Sequence, residues 1–342
     1  MARLQDYPQV TPGESDNLLI VQSQGQGLAP HTIKMDSANP TGTGAFSFNR
    51  KANTTTGGQS VAIGYNVEAS GDQSFAEGRE TVASGNQSHA EGYQSTASAT
   101  RSHAEGTSTA SGQHAHSEGS GTTAGGQYSH AEGNSTTASG LAAHAEGQGS
   151  VASNTSAHAE GQNTTASGDN GVHAEGYYTE ASGRNSHSEG RYTIANHRSQ
   201  HVFGEYNIAD TSGAVSTARG TYVEIVGKGT AADARSNART LDWNGNETIA
   251  GTLTQSSDER LKDIKAEDIP DVSAVKAVRF TWKADAGRDD SEHVGYIAQD
   301  VEKVLPFLVK EDAEGNKALD YIAFLVAKVD SLEKRLAELE NK

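Results

Sequence analysis

The sequence predicts a mainly β fold in which one short unit is stacked many times, followed by a C-terminal α+β segment. The first observation is a glycine-ended segment, most often His-Ala-Glu-Gly, that recurs every 14 residues with one step of 13 and one of 15. A fixed period of this kind is typical of stacked repeat proteins. The second observation is a change near residue 256, after which lysine becomes common and helical periodicity begins. The eleven closing glycines are Gly64, Gly78, Gly92, Gly106, Gly119, Gly133, Gly147, Gly161, Gly176, Gly190 and Gly204.

The composition excludes several classes of function. The chain has 342 residues, no cysteine and a net charge of −17. Nucleic-acid binding needs a basic surface, yet residues 1–256 contain only Lys34, Lys51 and Lys228 as lysines. No apolar run reaches the length of a membrane span, and the first residues lack the apolar core of a secretion signal. We therefore expect no nucleic-acid partner, no membrane insertion and no cofactor.

Four segments follow one another along the chain. Residues 1–56 are non-repetitive, and residues 57–207 contain the repeats. Residues 208–256 are predicted to be rich in β structure, with Asn244-Gly245 as a hairpin turn. Residues 257–342 contain the lysine-rich helical sequence, so the sharpest predicted boundary lies between residues 256 and 257.

Each repeat is predicted to contain two short strands whose alanines face the inside of a thin coil. Ala131 stands between His and Glu in the first strand of its unit, and Ala138 stands between small polar residues in the second. Side chains alternate across a strand, so both alanines point inward and their neighbours point outward. The glycines supply turn conformations that other residues avoid.

The outward side chains of the first strands form a column of histidines beside a column of glutamates, which we call the histidine–glutamate ladder. At its ends the same positions hold the apolar residues Val61, Ile63, Phe75 and Phe203, which indicates that this face is buried against other chains. A closed homo-oligomer would bury it. The predicted ladder consists of His89, Glu91, His103, Glu105, His116, Glu118, His130, Glu132, His144, Glu146, His158, Glu160, His173, Glu175, His187 and Glu189.

Two uses of the ladder are open. Hydrogen bonds between histidine and glutamate of different chains would fix the register of the subunits. Alternatively, three imidazoles that converge on a three-fold axis would suit Zn²⁺ or Ni²⁺. Nothing in the repetition marks one special layer, so the network is favoured and no metal site is assigned.

The repeat region resembles the left-handed parallel β-roll head of the trimeric autotransporter adhesins. The segment Ser60-Val-Ala-Ile-Gly64 is similar to the head motif of that family, and the 14-residue period agrees. The resemblance covers residues 57–207 and implies a homotrimer. His and Glu replace the usual Val and Ile of the family in eight units.

Residues 257–342 resemble the intramolecular chaperone domain of phage tailspikes and fibres, the S74 family of self-cleaving peptidases. The run from Ser257 to Lys262 is similar to the start motif of that family. His293–Asp300, followed by Leu305-Pro306, is similar to its central signature. The resemblance implies assembly into a trimer followed by release of the domain.

The resemblance also implies a cleavage site between Ser256 and Ser257. Serine is a weak nucleophile that needs a neighbouring base, and a lysine serves where desolvation lowers its pKa. Ser257 would attack the carbonyl group of Ser256 with Lys262 as the base. The alternative is that Ser257 only caps a helix, but Arg260 stands where a capping box requires Glu or Gln.

Three further residues are supporting candidates for this single-turnover reaction. Asp258 and Arg260 would shape the site, because they lie between the nucleophile and the base. His293 is a weaker candidate from the central signature.

The last helix carries apolar residues at alternating spacings of three and four, the a/d pattern of a coiled coil. One short amphipathic helix is marginal alone, so we expect a clamp between three chains. Identical repeats pair easily out of register, and trimerisation at the C-terminus would set the register before the roll forms. Cleavage would then make the assembly hard to reverse. The predicted coiled-coil positions are Ile322, Leu325, Val329, Leu332, Leu336 and Leu339.

These features together predict a homotrimeric fibre or appendage protein of a bacteriophage virion, assembled in the host cytoplasm. Residues 1–56 would attach to other virion proteins, the roll would serve as shaft or as head facing a host-surface receptor, and residues 208–256 would form the neck or tip. One alternative is a bacterial trimeric surface adhesin, which needs a signal peptide and a membrane β-segment. The other is a capsule-degrading tailspike, which needs paired acidic residues in a non-repetitive groove.

Overall fold

A computed structural model of the chain contains two compact units, Met1–Thr252 and Leu253–Lys342. Most of the segment predicted to attach to a virion, residues 1–56, lies outside the described residues. The structure describes residues 17–18, 33–36, 45–51, 54–213, 215–265, 268–286 and 290–341.

The first unit is a parallel β-roll, which confirms the predicted mainly β fold of stacked coils. Among the described residues, strands β1 (Asn17–Leu18), β2 (Ile33–Asp36) and β3 (Ala45–Arg50) precede it, and β3 pairs in parallel with the first strand of the roll. The strands of the roll are β4 (Val61–Ala69), β5 (Phe75–Arg79), β6 (Val82–Ala83), β7 (His89–Gly92), β8 (Thr96–Ala97), β9 (His103–Ala110), β10 (His116–Ala124), β11 (His130–Asn134), β12 (Thr137–Ala138), β13 (His144–Gln148), β14 (Val151–Ala152), β15 (His158–Gln162), β16 (Thr165–Ala166), β17 (His173–Tyr177), β18 (Glu180–Ala181), β19 (His187–Arg191), β20 (Ile194–Ala195) and β21 (His201–Glu205).

Like residues lie on one another along the roll because each strand pairs in parallel with its equivalent one coil later. His130 pairs with His144 and Ala131 with Ala145 between β11 and β13. The same register continues through β15, where Glu146 pairs with Glu160. Columns of identical side chains are therefore a direct result of the repeat.

The interior of the coils is lined by alanine, as predicted, and by a second column that the sequence analysis missed. Ala131 and Ala138 are fully buried. Thr136 and Ser150, each two residues before an alanine of the second strand, are also fully buried, as side-chain alternation along a strand requires. The Thr136 hydroxyl is satisfied because it donates to the carbonyl oxygen of Glu132 over 3.0 Å.

The closing glycines allow the coils to approach one another closely. Gly133 has φ of +102°, and a Cβ atom there would lie 2.2 Å from the carbonyl oxygen of Gly147 in the next coil. Real Cβ atoms do not approach backbone oxygens to that distance. A side chain at this position would therefore clash with the next coil as well as strain the backbone.

The sheet continues beyond β21 with strands β22 (Tyr222–Lys228), β23 (Asn237–Asp242) and β24 (Glu247–Ile249). Strand β22 continues the parallel ladder from β21 and pairs antiparallel with β23, which pairs antiparallel with β24. The turn between β23 and β24 contains the predicted Asn244-Gly245 pair, with Gly245 at φ +83°.

The second unit is small and mixed. Its strands form two antiparallel pairs, β25 with β26 and β27 with β28. Its buried core includes Val272, Val301, Leu305 and Phe324. No helix in the described part of the chain is both long and apolar enough to span a membrane. The elements are β25 (Val278–Phe280), β26 (His293–Gly295), α1 (Ala298–Glu302), β27 (Val309–Glu311), β28 (Lys317–Leu319) and α2 (Tyr321–Glu340).

Candidate functional site

The predicted nucleophile and base lie in contact. Lys262 Nζ is 2.7 Å from Ser257 Oγ. A short 3₁₀ turn, Glu259–Leu261, separates the two residues and brings the chain back on itself. Asp258 caps this turn, since its carboxylate accepts a hydrogen bond from the Arg260 backbone N–H over 3.0 Å. The cap of this turn is thus Asp258 and not Ser257.

The two predicted shaping residues form an ion pair beside this contact. Arg260 Nε donates to both carboxylate oxygens of Asp258, at 3.0 and 3.1 Å. These hydrogen bonds from Arg260 lower the pKa of Asp258 below its ordinary value, so the carboxylate stays charged. This ion pair stabilises the turn and makes no use of the Ser257 hydroxyl or the Lys262 amine.

The third supporting candidate belongs to a different group of contacts. His293 lies in β26, where its Nε2 is 3.1 Å from Ser291 Oγ. Its ring is 5.5 Å from the ring of Phe280 on the paired strand β25. The structure thus brings together Ser257 with Lys262 and Asp258 with Arg260, and places His293 with aromatic residues of a hairpin.

Helix α2 has two apolar faces with different surroundings. One face is buried in the second unit and carries Phe324 and Ala327. Lys328 fixes this face because its Nζ donates to the carbonyl oxygens of Val272 and Val275, each over 2.6 Å. The predicted coiled-coil positions form the other face and are 48–65% exposed in the single chain. An apolar stripe this exposed indicates a partner surface.

The histidine–glutamate ladder forms a continuous stack along the roll. Ring centroids of successive histidines lie 4.6–5.0 Å apart. His201 continues the stack beyond His187 and was missed by the sequence analysis, because Phe203 replaces the glutamate of its unit. The sequence does contain the signal: Phe203 stands at the glutamate position of its repeat, so His201, two residues earlier, stands at the histidine position.

The imidazoles and carboxylates of the ladder face one another without direct hydrogen bonds in the single chain. In six units, from His116 to His187, the Nε2 atom lies 3.7–3.9 Å from the nearer oxygen of the glutamate two residues later. Burial, together with the neighbouring imidazoles, lowers the pKa of His116, His144 and His173. Nearby glutamates act in the opposite direction but are outweighed.

Comparison with known families supports both halves of this description. The family described as YadA head domain repeat matches residues 56–81, 76–98 and 131–153. The family described as Chaperone of endosialidase, peptidase S74, matches residues 257–310. No curated protein matches the chain.

The two matched families define the class of protein. The chain combines a β-roll that matches YadA head repeats with a C-terminal segment that matches the S74 chaperone family. This combination indicates a trimeric fibre or adhesin-like protein, extracellular or part of a virion.

Proposed function

We propose that the chain is a subunit of a homotrimeric bacteriophage fibre that contacts the host surface, and that its C-terminal segment directs assembly and then cuts itself off. The contact between Ser257 Oγ and Lys262 Nζ, 2.7 Å long, is the observation that carries the proposal. A serine beside a lysine is a nucleophile beside a base. In this chain the pair stands at the start of the segment matched by the S74 family.

The cleavage step follows from that geometry. With its amine unprotonated, Lys262 accepts the proton of Ser257 Oγ, and the oxygen attacks the carbonyl carbon of Ser256. The C–N bond between Ser256 and Ser257 breaks, and the protonated lysine returns its proton to the leaving nitrogen. The resulting ester is hydrolysed by water, which leaves a carboxylate on Ser256 and frees residues 257–342.

Both residues of this pair are exposed in the single chain. Coupling the reaction to assembly is useful for this particular roll. Every ladder unit is equivalent, so three chains are able to pair one coil out of register. The exposed stripe of α2 supports trimerisation at the C-terminus before the coils close on one another.

Mass spectrometry of the expressed full chain tests the proposal. The wild-type chain should give fragments that end at Ser256 and begin at Ser257, whereas Ser257→Ala and Lys262→Ala should stay intact. Lys265→Ala is the matched control: Lys265 lies three residues after Lys262 and pairs with Asp263, so this variant should be cut normally. An intact wild-type chain under trimeric conditions would overturn the cleavage.

The oligomeric and virion roles need separate measurements. Light scattering of the Ser257→Ala protein should give the mass of three full chains. Proteomics of phage particles that encode the chain should detect residues 57–256 and lack residues 257–342. A monomer in solution would exclude the fibre, and absence from purified particles would exclude the virion role and favour a surface adhesin.

A further inference from the structure

The stacked imidazoles of the ladder share one unusual feature, a buried ring nitrogen without a hydrogen bond. The Nε2 atoms of the ladder histidines are buried and have no hydrogen-bond partner among the described residues. Buried polar atoms in folded proteins are normally hydrogen-bonded, so a repeated exception points to a missing ligand or partner atom. The atoms concerned belong to His89, His103, His116, His130, His144, His158, His173, His187 and His201.

A carboxylate lies between successive imidazoles. Glu189 places one oxygen 3.9 Å from His187 Nε2 and its other oxygen 3.9 Å from His201 Nε2. Glu91 likewise places an oxygen 3.6 Å from His103 Nε2 in the next coil. These separations exceed the usual length of a hydrogen bond, about 2.7–3.2 Å. The gap therefore has room for an atom that binds both groups.

The separations fit a metal ion. Two ligand atoms that each lie about 2.0–2.2 Å from one Zn²⁺ ion are about 3.3–3.6 Å from each other at a tetrahedral angle, so the observed separations of 3.6–3.9 Å need to shorten by a few tenths of an ångström. The ligand atoms of each His–Glu–His group, such as His187, Glu189 and His201, lie within 4.8 Å of one another. Small side-chain rotations would bring the second imidazole closer to the same ion.

We propose that the histidine–glutamate ladder is a row of binding sites for divalent transition-metal ions, Ni²⁺ or Zn²⁺. Each ion is held by an imidazole Nε2 and the carboxylate beside it, with water or a second ladder side chain completing the coordination. Imidazole nitrogen selects these ions over Mg²⁺ and Ca²⁺, which prefer oxygen ligands. The ladder would thus bind several ions per chain, one after another along the roll.

The chain itself supplies the design of a matched variant. Phe75 occupies the ladder position in the coil before His89, and the two rings lie 4.9 Å apart. Phenylalanine is therefore compatible with the stack while it lacks the nitrogen. Replacing His130, His144 and His158 by Phe removes three of the nine ladder imidazoles. His114→Tyr is the control, because His114 lies in a separate stack on Tyr128 at 5.0 Å.

The experiment measures Ni²⁺ bound by the full-length, untagged chain. The protein is stripped with a chelator and dialysed against Ni²⁺ in excess Mg²⁺, and bound nickel per chain is measured by elemental analysis. We expect several ions per chain, with imidazole scattering in the nickel X-ray absorption spectrum. The triple Phe variant should lose at least the share of bound nickel that its three sites represent, and His114→Tyr should lose none.

Three outcomes would overturn the proposal: no nickel retained in excess Mg²⁺, equal retention by the triple variant, or a spectrum with oxygen ligands alone. In each case, hydrogen bonds between subunits would remain as the explanation for the buried Nε2 atoms. Circular dichroism checks that the triple variant folds. If it does not, Glu132→Gln with Glu146→Gln and Glu160→Gln replaces it, and reduced nickel binding is again expected. The result is independent of self-cleavage and of the virion role.

Discussion

The roll and the C-terminal unit bury their residues in opposite ways. Inside the roll, most coils contribute alanine, serine and threonine with an occasional valine such as Val67 or Val172, and a residue lies on its own equivalent from the next coil. In the C-terminal unit, large side chains such as Phe324 and Leu305 meet Val272 from a distant part of the sequence. The repeated small residues of the roll determine the shape of a coil. The unequal side chains of the C-terminal unit also determine which residues pack against each other.

This difference fits the proposed role of the C-terminal unit in assembly. A stack of equivalent coils has little to distinguish the correct register from one shifted by a unit. A core of unequal side chains has a single good packing. If the C-terminal unit trimerises first, as proposed above, it would supply the register that the roll specifies only weakly.

The largest expected effect is at the glycines of the roll. Gly133→Ala would place Cβ 2.2 Å from the Gly147 carbonyl oxygen at φ +102°. We expect the free energy of unfolding to fall by more than about 4 kcal/mol, the range that marks a severe backbone clash. Thermal unfolding followed by circular dichroism measures it.

Gly171→Ala is the control for this prediction, since Gly171 has φ of +67° but nothing within 4 Å of its Cβ position. It should cost only about 1–2 kcal/mol, the strain of a left-handed alanine. Equal losses in the two variants would show that backbone strain, and not the close stacking of coils, determines the stability of the roll.

The next effect is on the core of the second unit. Phe324 is fully buried, and Phe324→Ala should lower the stability of this unit by about 3–5 kcal/mol. Hydrogen exchange should show lost protection in residues 268–341 and unchanged protection in the roll. Phe307→Ala is the control, because Phe307 is 75% exposed. Lost protection in the roll as well would contradict the division into two separately stabilised units.

The sequence predicts the roll better than the second unit, for a physical reason. The pattern of His130, Ala131 and Gly133 recurs in most coils with the same spacing, so local alternation is enough to place side chains inside or outside. The buried position of Thr136 follows from the same alternation and was overlooked only because threonine is polar. The core of the second unit depends on contacts between residues some 50 positions apart, such as Val272 with Lys328, which periodicity does not reveal.

The candidate sites divide in the same way. The seam of α2 was predictable from heptad spacing, but its buried face around Phe324 was not, because its partners are distant in sequence. The pairing of Ser257 with Lys262 was inferred from the family resemblance, and the 3₁₀ turn that creates the contact has no strong sequence signal of its own. The lack of a hydrogen-bond partner at the Nε2 atoms is visible only in the structure, because a sequence gives no interatomic distances.

A smaller effect is expected where the roll ends. Asp210 is nearly buried, and its carboxylate accepts hydrogen bonds from the backbone N–H groups of Thr221, at 2.6 Å, and Tyr222, at 3.1 Å. Burial alone would raise the pKa of Asp210, but these bonds and those from Ser212 hold it below its ordinary value. Asp210→Asn should cost about 1.5–3 kcal/mol at neutral pH, the worth of hydrogen bonds to a charged group.

The lowered pKa of Asp210 also fixes a pH dependence. A carboxylate with a depressed folded-state pKa stabilises the fold above its unfolded-state pKa, and this contribution is lost as the pH falls through the folded-state value. The melting temperature of the roll should therefore drop at acidic pH, below about 3.9, by less in Asp210→Asn than in the wild type. Asp233→Asn, at an exposed site, should keep the wild-type slope, and an unchanged slope in Asp210→Asn would contradict this role.

The smallest effect on the fold of one chain is expected at the exposed seam, although it is the most informative about assembly. Leu325 and Leu332 are 48% and 59% exposed, so replacing both with Ala should change the stability of the single chain by at most about 0.5 kcal/mol per site. If three chains share this seam, the same variant should shift the protein from trimer to monomer in light scattering. It should also leave the register between the three rolls poorly specified, since most coils present the same ladder residues to their neighbours. A variant that stays trimeric would indicate that the ladder face of the roll, and not α2, sets the register of the three chains.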